Sequence, residues 1–439
     1  VIMRGSMGRR IGPGVVADCP LAEVEGAPSG RRSTDMGLAF HGNASVFLAV
    51  AGVALAARLP LAIALPIVSP DGETSVRVAA NLLAHGCISL SDPATGACVP
   101  NWGGNHFPAY PGLIAAIWLV AGKSVAAVTV FQSLLVALGC ARLGQAVAIW
   151  FERPSAGLLA GGLAALSPLQ VAWSRFILPD ALSVAVALWL FAELILSFRE
   201  NTLRRLPVAL ALLAAVLLRY DGILLAVPVA LAGFIIHPPA EALRRGTVVA
   251  LIVALPISGL LGRNLAQGLP LLPQTFMHDD SPPPNGYLAW GKTWITTLYQ
   301  GGAMAYPVAQ RSYGHIVIAR EAYDSDRERR KVEALLSQLR EHEGESFPLR
   351  IDRAFADLAA EKRSTHPLRH YLIVPLKRMA VFWFIPYASF GWPLEIGEAA
   401  TGNEQARLDS GPFDKLALAA RHPLATAGKL AVFLYRVLL

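Results

Sequence analysis

At 439 residues, 54% hydrophobic and only 16% charged, with a mean hydropathy of +0.46, the chain is far too apolar for a water-soluble protein of its length. Its net charge of +7 comes from Lys and Arg scattered through short loops, which fits membrane topology and excludes a nucleic-acid-binding stripe. No HExxH, P-loop or nucleophile-elbow pattern occurs, so soluble nucleotide chemistry has no support.

Residues 1–40 are rich in Gly, Pro and Arg, with no continuous apolar core and no small-residue cleavage site. They read as a disordered or misassigned tail rather than a signal peptide, with Met36 a candidate start. A membrane helix needs about 20 apolar residues. Runs near that length fall at 44–67, 125–150, 155–173, 177–198, 206–218, 223–236, 247–261, 371–392 and 423–439. The last of these reads as a short helix or one cut by the end of the sequence. The run 111–121 would reach only about 16 Å at 1.5 Å per residue, so it is expected to be re-entrant or part of a broken helix.

Basic residues in the short loops set the orientation. Arg31 and Arg32, Arg142 and Arg153, Arg199 with Arg204 and Arg205, and Arg244 with Arg245 all share one side if 111–121 does not cross. Segments 69–110, 174–180, 219–221 and 263–370 then fall together on the opposite, outer face. This divides the chain into the tail 1–40, a membrane module 41–262 with its outer loop 69–110, an outer polar segment 263–370, and C-terminal membrane helices 371–439. Within the outer segment, 319–365 holds 21 charged residues out of 47, ten basic and eleven acidic. That mixture, with Val332, Leu335, Leu336 and Leu339 at helical spacing, predicts helices with a solvated face. No internal repeat is visible.

The candidate chemistry lies in the outer turns. Ser69-Pro70-Asp71-Gly72-Glu73 follows the first run, and Val76, Ala79, Ala80 and Leu83 form one face of a short helix after it. Asp71 reads either as that helix's N-cap or as a carboxylate at the rim of the bundle. Two further turns hold Arg175 with Asp180, and Arg219 with Asp221. Each pair is either a structural ion pair or part of a wet functional site, since ionisable groups beside apolar spans are costly. Lys377 and Arg378, inside the run 371–392, either snorkel to the surface or hold an anionic headgroup. His106 is a candidate base or ligand near Tyr110, although a lone His is more often neither. Ligand spacing gives no support to a divalent metal beside Asp71 and His106. Cys87 and Cys98 lie close in a polar stretch and could pair in an oxidising compartment.

The order of these features resembles a known family. An apolar span, Pro70-Asp71-Gly72-Glu73, then Ala79-Ala80-Asn81-Leu82-Leu83-Ala84-His85-Gly86, then Pro108-Ala109-Tyr110-Pro111 resembles the first outer loop of membrane glycosyltransferases of the C-type fold. The branch is that of protein mannosyltransferases and lipid A aminoarabinose transferases. Ile177-Leu178-Pro179-Asp180-Ala181-Leu182 resembles its second acidic motif, and Gly262-Arg263-Asn264, 286–294 and 366–371 look like features of bacterial members.

The resemblance implies an all-α polytopic bundle in a bacterial inner membrane, with its site facing the periplasm or exterior. It implies a sugar donor on a polyprenyl phosphate and an acceptor hydroxyl on a glycan, lipid or protein. Asp71 would be the general base and Asp180 would orient the acceptor or Asp71. Glu73, His106, Tyr110, Arg219 and Asp221 would line the substrate, and Arg378, then Lys377 and Arg263, would face the leaving phosphate. Gly72 separates Asp71 from Glu73 where relatives have adjacent acids, and His106-Phe107-Pro108 stands where aminoarabinose transferases carry Glu-Lys before a Pro pair, which argues against that sugar. A Cys87–Cys98 disulfide would brace the loop as a lid. The rival reading is a transporter or flippase for a lipid-linked saccharide. A scaffold or receptor would leave the acidic residues at successive outer turns unexplained.

Overall fold

The computed structural model describes residues 33–91, 94, 98, 108–269, 283–384, 420 and 423–438, and the chain divides into two units, Val1–His41 and Gly42–Leu439. Residues 33–41 of the first unit are helical. Among the described residues the protein is all α, with sixteen α-helices, no β-strand and one isolated bridge.

Four helices are long and apolar enough to cross a membrane: residues Asn43–Ala64 of α1 (Ser33–Ala64), α4 (Val125–Phe151), α7 (Pro179–Arg199) and α10 (Pro239–Ala266). Between them come α2 (Pro70–His85), α3 (Ala109–Ala121), α5 (Pro154–Ala165), α6 (Pro168–Trp173), α8 (Arg205–Leu218), a 3₁₀ turn at Tyr220–Leu225 and α9 (Ala226–Ile236). Small residues let these helices close up: Gly144 of α4 faces Gly157 and Gly161 of α5 across a gap that no side chain fills. Leu48, Leu159 and Leu255 stay exposed, as an apolar surrounding permits.

Three expectations are corrected. The run 155–173 is not one helix, because Pro168 has no N–H to continue α5 and restricts Ser167 before it, so the chain restarts as α6. The run 247–261 extends in both directions, which puts Arg244 and Arg245 in the opening turns of α10 and Arg263 in its last turn. The boundary drawn at 262/263 therefore falls inside a helix. Arg142 and Arg204 are more than loop charges, since both pair with Glu193, a buried carboxylate on α7.

The short α3 does not run the length of α4. Tyr110 at its start meets Gln132, and Trp118 near its end donates to the Ser124 carbonyl, so the whole helix lies beside the first turns of α4. Those turns adjoin the end of α1, where the Thr129 hydroxyl donates to the Ala62 carbonyl at 2.8 Å.

The polar segment folds as α11 (Asn285–Gly291), α12 (Leu298–Ala309), α13 (Asp326–Arg340) and α14 (Leu349–Thr365) around Tyr287, Trp290, Met304, Val332, Leu339 and Phe355. Its charges are not only a solvated face. Lys362 is 4% exposed and donates to Glu328 and the Ala322 carbonyl, each at 2.8 Å, with Asp324 at 3.1 Å. The Trp290 indole donates to the same Glu328 carboxylate, and Arg369 pairs with Asp324. A π-helical turn at Arg369–Ile373 then leads into α15 (Val374–Phe384), and α16 (Pro423–Leu438) closes the described chain.

Candidate active site

The site is built on helix ends. Pro70 starts α2 because its missing N–H is one that a helix start leaves unbonded anyway. Ser69, not Asp71, is the N-cap: its hydroxyl accepts from the Gly72 amide at 3.1 Å. This overturns the capping reading of Asp71. Its carboxylate, and that of Glu73, are exposed in the first turn and meet no donor among the described residues, at a helix end that favours negative charge.

Two ties bring the second acidic turn to the first. The bridge pairs Ile67 with Phe176, the Ile67 amide donating to Arg175 and the Ile177 amide to Ile67, each at 2.9 Å. Beyond it the first turn of α2 lies directly on Ile177, so closely that a Cβ on Gly72 would sit on the Ile177 carbonyl oxygen. The glycine that departs from the family's adjacent acids is what permits this approach. Gln132 backs the same loop, donating to the Phe176 carbonyl at 2.9 Å while accepting from the Tyr110 hydroxyl.

Asp180, in the first turn of α7, pairs with Arg219 at 2.8 Å, and Arg219 also holds Asp221 at 3.0 Å. The two expected pairs thus merge into one, with Arg219 between two carboxylates. Arg175 is not the partner of Asp180; its guanidinium lies 5.2 Å from the Phe176 ring. Gly222 lets the turn after Arg219 fold back against Ala215, where any side chain would collide with backbone.

The other expected residues are distributed more widely. Tyr110 is 1% exposed and committed to Gln132, so it supports the loop rather than lining a cleft. Arg378 donates to the Ile295 and Lys292 carbonyls, at 2.7 and 2.6 Å, tying α15 to the polar segment. Arg263 donates to Asn264 at 2.8 Å, and Lys377 is exposed. His106 lies outside the described residues. Among those described, no three His, Cys, Asp or Glu side chains gather as a metal site. Cys87 and Cys98 are joined as a disulfide, with Cα atoms 6.5 Å apart.

Sequence reasoning missed Ser69, Gln132 and Arg58. The first had a signal in its place before Pro70, and the others in being lone polar residues in apolar runs. Arg58 is fully buried in α1 and donates to the Ala54 and Ala165 carbonyls, so it holds the end of α5.

Residues 105–260 of the 439 match the family of dolichyl-phosphate-mannose-protein mannosyltransferases. The chain is similar to the C-type membrane glycosyltransferases. The matched region includes Asp180, Arg219 and Asp221 and begins after Asp71. It supports a glycosyltransferase in a membrane, of the helical C-type architecture. No curated protein and no solved structure matches the chain.

Proposed function

We propose that the protein moves a sugar from a polyprenyl-phosphate donor to an acceptor hydroxyl at the outer face of a bacterial inner membrane, with Asp71 as general base. The observation that carries this reading is the exposed Asp71 carboxylate, released from capping by Ser69 and tied through Gly72 and Ile177 to the turn bearing Asp180. Asp71 takes the proton of the acceptor hydroxyl as its oxygen bonds the anomeric carbon. The bond from that carbon to the phosphate oxygen breaks, and its electron pair leaves with the phosphate.

A fixed cation facing that oxygen stabilises the transition state more than the bound donor. Arg378 is largely committed to carbonyls, so Arg263 and Lys377 are the better candidates. Asp180, held by Arg219, orients the acceptor. Glu73, one residue past Gly72, lines the same rim.

The test is transfer of labelled sugar from a panel of polyprenyl-phosphate sugars to membrane acceptors. Asp71→Asn is expected to lower turnover by about 10²- to 10⁴-fold with the fold intact. A folded wild type that transfers from no donor, or an amide variant that works equally well, would reject the assignment and favour transport of a lipid-linked saccharide.

A further inference from the structure

Beside the Asp180–Arg219 pair lies an apolar trough of about 580 Å³ between α3, α4, α7 and α8. On α8 its lining runs from Pro207 to Leu218, roughly 16 Å at 1.5 Å per residue, the reach of a hydrocarbon chain. It ends at Ala109, Leu182 and Leu218, within two residues of Tyr110, Asp180 and Arg219. At that mouth one guanidinium sits between two carboxylates, Asp180 and Asp221. The excess charge is negative, so a phosphate there is repelled, whereas a neutral hydroxyl can donate to a carboxylate. A second apolar trough, of about 660 Å³, lies beyond α8, lined by α9 and α10 and reaching Ile223 and Leu261, two residues before Arg263.

Resting on the glycosyltransferase reading above, we propose that the trough between α7 and α8 seats the hydrocarbon tail of the acceptor. The acceptor is then a membrane lipid with a neutral hydroxyl head, rather than a protein or a soluble glycan. Its hydroxyl emerges beside Asp180, and the anionic donor approaches from elsewhere.

Photolabelling of the full chain in phosphatidylcholine vesicles tests this, with two probes, a diazirine-tailed diacylglycerol and a diazirine-tailed prenyl phosphate. Diacylglycerol is expected to label the peptides of α7 and α8. Ala214→Phe, or the outward Leu210→Trp should the first misfold, is expected to cut that labelling about tenfold, the scale of a changed apolar pocket. In turnover, the same variants raise KM for a lipid acceptor about tenfold and leave donor KM unchanged.

Prenyl phosphate in this trough, or equal labelling by both probes that Ala214→Phe does not alter, overturns the proposal. Equal transfer to a water-soluble acceptor overturns it too. Selective diacylglycerol labelling without transfer from any donor keeps the lipid site and rejects the enzymatic reading instead.

Discussion

The close approach at Gly72 makes a sharp demand on one side chain. Because its Cβ position is filled by the Ile177 carbonyl, Gly72→Ala forces α2 off the second acidic turn and should cost about 1–3 kcal/mol. A thermal melt of purified protein beside a turnover assay checks it: activity is expected to fall by more than the loss of folded protein explains. Lys362 makes a different demand. Lys362→Met leaves Glu328 and Asp324 without their buried cation, and removing one partner of such a cluster typically costs about 3–5 kcal/mol. Protease protection of the polar segment reads this out, and the double variant with Glu328→Leu should recover part of the loss.

Among the elements, the π-helical turn between α14 and α15 carries the one buried histidine described there. The Nδ1 of His370 hydrogen-bonds the Thr293 carbonyl at 3.0 Å, and its Nε2 is buried without a partner. Burial holds its pKa below the ordinary value, against the opposing pull of the Thr293 bond and the nearby Asp324. Since the folded state disfavours the proton, this stability is present above the unfolded pKa of about 6.5 and is lost as pH falls through the lower folded value.

Asp324 acts in the same direction at lower pH. Burial works to raise its pKa, but Lys362 and Arg369 outweigh that and hold the carboxyl below its usual range. The melting temperature of the polar segment should therefore drop between pH 7 and 5, and His370→Gln should flatten that drop. At the other end of the site, reduction of Cys87–Cys98 is expected to loosen the loop after α2 and leave the membrane helices intact, which proteolysis under reducing conditions would show.

For the whole molecule, the apolar runs and the order of the acidic turns were readable because both follow from local composition. Asp71, Asp180, Arg219 and Asp221 could be named from the sequence for that reason. Their partners could not, because pairing depends on which turns meet across the bundle. Asp180 has Arg175 nearer in sequence, yet it takes Arg219 from another helix. Pro168 announced the break between α5 and α6, and Ser69 before Pro70 announced the cap, so those two were legible and were passed over. The buried cluster at Lys362 was hidden by its surroundings, since a balanced run of charges looks alike whether or not one cation turns inward.

The bridge between Ile67 and Phe176 also dictates when the site can exist during synthesis. Asp71 leaves the ribosome early, but its loop has nothing to dock on until the break after α5 has emerged. Asp180 then waits for Arg219, a further helix pair away. A nascent chain inserted only as far as α5 would be a membrane protein without a catalytic centre.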